Sequence, residues 1–201
     1  ANTVRTQSPH SGATNQNLRA HNLSLALRHI LANPGAINRA GIAAQTGNSR
    51  ATMSRLVEEL IATGLVEESD DKLSTGGRGR PTSVLSPASG TVIALGLQVN
   101  ISVLGAYLVD LSGNVLARET LEGDFSGSDP QATLRKLARM GRRVLREGRE
   151  EGTTFLGSAL ALPGLVSGDT LVTAPNLGWK NIPFDELTHP LHDLHVTLIA
   201  Y

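Results

Sequence analysis

The side chains best placed to do chemistry are arginines. From Ala1 to Val57 the chain carries six of them, Arg5, Arg19, Arg28, Arg39, Arg50 and Arg55, and no acidic residue. A guanidinium presents five N–H donors in a planar fork, which matches phosphate oxygens and the O6/N7 edge of guanine. Arg50 and Arg55 stand in Ser49-Arg50-Ala51-Thr52-Met53-Ser54-Arg55, beside small residues that let a helix approach a duplex closely. Arg78 and Arg80 lie in Gly77-Arg78-Gly79-Arg80-Pro81, and arginine alternating with glycine suits a narrow minor groove. Arg39, Ser49, Thr52 and Ser54 complete the candidate set for DNA contact, since cations and hydroxyls near helix starts reach phosphates and base edges.

Other chemistries fare worse. The chain has no cysteine, which excludes a disulfide scaffold, a thiolate zinc finger and a cysteine nucleophile within these residues. Neither a Walker-type loop nor a G-x-S-x-G elbow occurs, and spacing supports no nucleophile–base pair, so no catalytic residue is assigned. His189, His192 and His195 with Asp193 invite a metal reading, but Pro190 breaks the single helix that would gather them, and no metal site is assigned. Trp179 reads as a packing residue. Six aromatics in 201 residues are too few for a base-stacking platform.

The elements that must hold the arginines can be read from periodicity. Residues 1–16 are polar and aperiodic and are expected to form an arm. Leu23, Ala26, Leu27, Ile30 and Leu31 then make one helical stripe, which Asn33-Pro34-Gly35 ends. Asn38 caps a short second helix, with Ile37 and Ile42 spaced as a hydrophobic staple. Ser49 caps a third helix whose Met53, Leu56, Val57 and Leu60 face inward, and Gly64 closes it with Leu65 folding back on Leu60. Two short strands, 65–68 and 83–85, flank the Gly/Arg segment as a hairpin. Helix, short helix, turn, helix and hairpin together predict a winged helix-turn-helix over 17–88.

The sequence here resembles the amino-terminal DNA-binding domain of ROK-family regulators (repressor, open reading frame, kinase). The resemblance rests on Asn48 to Val57, on Leu60 and Gly64-Leu65-Val66-Glu67-Glu68, and on Gly79-Arg80-Pro81. Gly41 departs from it, standing in the second helix where the family commonly has glutamate.

Charge and pattern both change after residue 90. Residues 1–90 hold nine Lys/Arg against six Asp/Glu, a net of +3, and residues 91–201 hold nine against twelve, a net of −3. Strands are predicted over 91–97, 101–109 and 115–121, then a helix from Asp129-Pro130 to about Glu150. A buried strand 155–162, a short helix from about Pro183 and a last strand 196–201 follow, giving an α/β domain over 89–201. Leu162-Pro163-Gly164-Leu165-Val166 and Ala174-Pro175-Asn176-Leu177-Gly178-Trp179 resemble the first lobe of the ROK domain.

The resemblance implies an α+β chain: a winged helix followed by part of an actin-like ATPase (ribonuclease H-like) lobe. It further implies a carbohydrate-responsive repressor of the N-acetylglucosamine/xylose type, with double-stranded DNA as partner. Pro163, Gly164 and Asn176 would border a sugar cleft. A sugar or sugar-phosphate effector and a homo-oligomer are expected of a full-length form, and this chain alone is expected to associate weakly. No cofactor is assigned, because Gln98 and Asn100 stand where catalytic members carry the Asp-x-Gly phosphate loop, and because the chain stops before the family's later sugar and zinc motifs. No membrane partner is expected and the location expected is cytoplasmic, since no apolar run reaches spanning length and the start lacks a signal core. Two other readings stay open: a sugar kinase or sugar-binding protein with an added regulatory domain, and a winged helix that binds protein.

Overall fold

The computed structural model describes residues 10–69 and 83–200 and divides the chain after Ala88 into two compact units. The first holds α1 (His10–Ala32), α2 (Arg39–Thr46), α3 (Arg50–Ala62), β1 (Val66–Ser69) and β2 (Val84–Pro87). Its core is the set picked out by helical spacing: Ala26 and Ile30 of α1, Ile37 and Ile42, then Met53, Leu56, Val57 and Leu60 of α3, closed by Val66 and Leu85. β1 and β2 pair antiparallel from Val66↔Pro87 to Ser69↔Val84, and Ile37 adds a bridge to Leu85. Two expectations need correction. Helix α1 begins at His10, inside the stretch expected to be an arm. Adding residues to an existing helix costs far less than nucleating one, so the packed turns at 23–30 can extend into exposed polar residues such as Gln16 and Asn17. Leu31, expected on the buried stripe, is 38% exposed at the last turn.

The second unit is built on a five-stranded sheet. Its strands are β3 (Val92–Val99), β4 (Val103–Asp110), β5 (Val115–Glu122), β6 (Thr154–Leu162) and β10 (Val196–Ala200), in the order β10-β6-β3-β4-β5. β3, β4 and β5 form an antiparallel meander, whereas β6 lies parallel to both β3 and β10. Helix α4 (Pro130–Gly148) covers one face, with Leu134, Leu137, Ala138, Met140 and Val144 in one core with Ile93, Leu95, Leu97, Leu104 and Leu108. Asp129 caps it, its Oδ1 accepting from the N–H of Ala132 at 2.7 Å. A small sheet of β7 (Leu165–Ser167), β8 (Thr170–Ala174) and β9 (Trp179–Pro183) follows, then α5 (Phe184–Thr188) and a 3-10 helix His189–Leu194. This is the actin-like lobe architecture, so the chain as a whole is α+β. The small sheet was not expected, because strands of three to five residues interrupted by turns leave no alternation to read.

Candidate nucleic-acid interface

Helix α3 is fixed at both ends by its own sequence. At the start, Ser49 Oγ accepts the N–H of Thr52 at 3.1 Å, and the two hydroxyls pair at 2.9 Å. At the end, Gly64 takes φ +72°, so its N–H reaches the Ile61 carbonyl and that of Leu65 reaches the Leu60 carbonyl, each at 3.0 Å. These are the two bonds of a Schellman ending. With four apolar residues locked inward, the outward face is determined. At 100° per residue, Arg50, Ser54 and Arg55 fall within an arc of about 140° facing away from the core. Arg50, Ala51 and Arg55 are exposed, and Ser54 is half-buried. Neither Arg50 nor Arg55 has an ion-pair partner among the described residues. Thr52 sits between that arc and the core, with its hydroxyl turned to Ser49.

Three acids of the unit, Glu58, Glu59 and Glu68, are paired with arginines. Arg19 of α1 pairs with Glu59 at 2.6 Å. Arg39, at the first position of α2, does not point into open solvent as a free cation. Its Nη1 donates to Glu58 at 2.5 Å, while Nε and Nη2 fork onto the Glu68 carboxylate at 3.1 and 2.6 Å. Sequence reasoning placed Arg39 among the DNA contacts, and the structure places it between α3 and the first hairpin strand. The sequence carries no signal for this, since Glu58 and Glu68 stand among Glu59, Glu67, Asp70 and Asp71 after the acid-free stretch and nothing in their spacing singles them out. Ser69 and Val84 form the last pair of the two strands. Arg78 and Arg80 fall between them in the sequence, outside the described residues.

In the second unit, Pro163 and Gly164 stand at the carboxyl end of the parallel strand β6, where ligands of open α/β sheets bind, whereas Asn176 follows β8 of the small antiparallel sheet. Pro163-Gly164 directly follows β6, whose Ala161 pairs with Gln98 near the end of β3, and Asn100 follows β3. Gly164 is pressed against β8: a Cβ there would lie 2.8 Å from the Thr173 carbonyl oxygen and 3.2 Å from the Ala174 Cβ. Asn176, exposed, follows two residues after Ala174. Trp179 is buried and donates its indole N–H to the Ser128 carbonyl at 2.8 Å. The histidines fall on the 3-10 helix His189–Leu194 and just after it, while Asp193 is taken by Arg142; among the described residues no three His, Cys, Asp or Glu side chains gather as for a metal.

One buried group escaped the sequence reading. Asp110 accepts the N–H and side-chain amide of Asn114, the N–H of Gly90 and the hydroxyl of Ser89 at 2.9–3.1 Å. Burial pushes its carboxyl up, but these hydrogen bonds together hold it below the ordinary carboxylate value. Asp110 thereby clasps the first two residues of the second unit to the turn between β4 and β5.

Comparison with known proteins gives four findings. A MarR family model matches residues 24–73, from α1 into the hairpin. The chain is 28% identical over 181 residues to a protein named xylose repressor from Caldicellulosiruptor bescii, covering 89% of this chain and 44% of that one. It is 30% identical over 149 residues to the DNA-binding transcriptional dual regulator NagC of Escherichia coli, covering 73% of this chain and 35% of that one. A solved structure described as a ROK family transcriptional regulator, homolog of the E. coli MLC protein, superposes over 91% of this chain and 46% of its own, with a TM-score of 0.63 at 19% identity. The chain thus spans less than half the length of these relatives. No helix among the described residues is long and apolar enough to cross a membrane.

Proposed function

The chain is kin to the ROK-family transcriptional regulators in both of its units, and on that premise we propose that it is a sequence-specific DNA-binding repressor responsive to a carbohydrate. The observation that carries this reading is α3: a helix capped at both ends that turns Arg50 and Arg55 outward with no carboxylate partner among the described residues. Such a helix fits the major groove, its positive amino-terminal end toward a phosphate, with Ser54 and Arg55 toward base edges. Arg78 and Arg80 extend the contact into the neighbouring minor groove. Two copies in the whole protein would read a near-palindromic operator in the cytoplasm.

We read the second unit as an effector module and not as an enzyme. Pro163, Gly164 and Asn176 are its share of a sugar cleft, and the ends of β3 and β6 beside them offer Gln98 and Asn100 where phosphoryl transfer to a sugar would call for a metal-binding carboxylate. The relatives named above support a regulator over the kinase alternative.

The test is selection from a pool of random duplex DNA over a salt series. Enrichment of one motif, with affinity falling steeply as salt rises, is the expected outcome. No retention even at low salt would remove the DNA reading.

A further inference from the structure

Resting on that DNA reading, we infer that Arg39 is a positioning residue for the duplex-binding surface, locking the recognition helix to the wing rather than touching the duplex itself. All three nitrogens of its guanidinium are engaged, one on Glu58 of α3 and two on Glu68 of β1. The site is half-sheltered, with the Arg39 and Glu68 side chains 25% and 27% exposed. A fork closed on two carboxylates from two different elements fixes an angle as well as a distance.

The other hairpin strand is held from the same place. Two and four residues before Arg39, Ile37 accepts the N–H of Leu85 at 2.8 Å, and Gly35 donates to the Leu85 carbonyl at 3.0 Å. The five residues 35–39 therefore grip β2 by backbone and β1 by the arginine fork, and Arg39 adds an ion pair to Glu58 of α3 beside the apolar core that α3 shares with Ile37, Val66 and Leu85. Partly exposed ion pairs contribute little to stability. What this one supplies is a fixed relation between the helix bearing Arg50 and Arg55 and the paired strands β1 and β2. Two groove contacts made by one rigid body bind more tightly than the same contacts on parts that must be ordered on binding.

Simple electrostatics and this inference predict opposite signs. Glu68→Gln removes a negative charge near a polyanion and frees Arg39, so charge alone predicts tighter binding and a steeper salt dependence. Positioning predicts weaker binding. We expect Glu68→Gln and Arg39→Gln each to weaken binding of the selected duplex about tenfold, the double variant to be no worse than either single one, and the salt slope to stay unchanged. Arg39→Lys keeps the charge and loses the fork, and it is expected to weaken binding with the fold intact.

Titrations of the full 201-residue chain, with thermal unfolding beside them, decide the matter. Tighter binding by Glu68→Gln, or a salt slope lowered by about one in Arg39→Gln, would place Arg39 on a phosphate and overturn the inference. Changed melting with unchanged affinity would overturn it in favour of a purely structural pair. A parent chain that enriches no motif would instead sink the DNA reading, and the inference with it.

Discussion

On α4, Arg142 grips Asp193 through two bonds of 2.7 Å and Arg143 is bound to Glu119, whereas on α3 Arg50 and Arg55 meet no carboxylate among the described residues. Both helices are amphipathic and both bury an apolar face in their own unit. They differ in what the outer charges answer to. In the second unit the forks of Arg142 and Arg143 tie α4 to the 3-10 helix and to β5, while Arg135, Arg139 and Arg146 lie along the same helix with no ion pair among the described residues. In the first unit Arg19 and Arg39 pair with Glu59, Glu58 and Glu68, and Arg50 and Arg55 stay unpaired on the helix that follows the short second helix and turn. An unpaired arginine is therefore informative about function through the element that carries it, and α3 is the helix of a helix-turn-helix.

The largest expected effect breaks this contrast directly. Replacing Arg50 and Arg55 together by alanine is expected to weaken duplex binding by about 1–3 kcal/mol for each arginine that contacts a base. The helix survives, because alanine is the best helix former. Arg142→Ala, its counterpart in the second unit, costs stability of about 0.2–1 kcal/mol after solvent screening and leaves duplex affinity unchanged. Anisotropy titrations and melting curves of both variants read the two effects. Equal losses of affinity in both would show that net charge, and not the α3 face, drives binding.

A second prediction sharpens the other side. Asp110 is held below its ordinary carboxylate value by Asn114, Gly90 and Ser89 against the upward push of burial. Arg142 and Arg143 likewise lower Asp193 and Glu119. A carboxyl whose pKa is lower folded than unfolded contributes fully above its unfolded value of about 4, and that contribution is lost as pH falls through the folded value. The second unit is therefore expected to melt progressively earlier below about pH 4. Asp110→Asn is expected to cost about 1–3 kcal/mol at neutral pH and to flatten that acid limb. An unaltered limb would take Asp110 out of the account.

The two units also differed in how far their sequence could be read. In the first, the structure is carried by local signals: Asn38 and Ser49 at helix starts, Gly64 at a helix end, and an apolar stripe at helical spacing. Each acts within four or five residues, so each was legible, and so was the outward face of α3. The partners of Arg39 were not, since Glu58 and Glu68 lie 19 and 29 residues away. In the second unit α4 and the long strands were legible for the same local reasons. Strands β7 to β9 were not, because their pairing is made by tertiary contact around Gly164 and Trp179. Asp110 was not legible either, since its bonds to Ser89 and Gly90 span 21 and 20 residues. Local order is written in the sequence, and pairings across it are decided by the fold.

The smallest effect is the most discriminating, because it separates what the start of α3 does for the fold from what it does for a duplex. Ser49 satisfies the N–H of Thr52. Ser49→Ala leaves that donor to solvent and is expected to cost about 1 kcal/mol of stability, with little change in duplex affinity well below the melting temperature. Ser49→Asp caps the helix equally well and adds a charge that favours its positive end, so stability is expected to match or exceed that of the parent. The same carboxylate would face a phosphate if the start of α3 enters the groove, so affinity is expected to fall while stability holds. One position thus gives one variant that lowers stability alone and another that lowers affinity alone. Unchanged affinity in Ser49→Asp would mean that this end of α3 does not face the duplex, and the unpaired arginines would then need another partner.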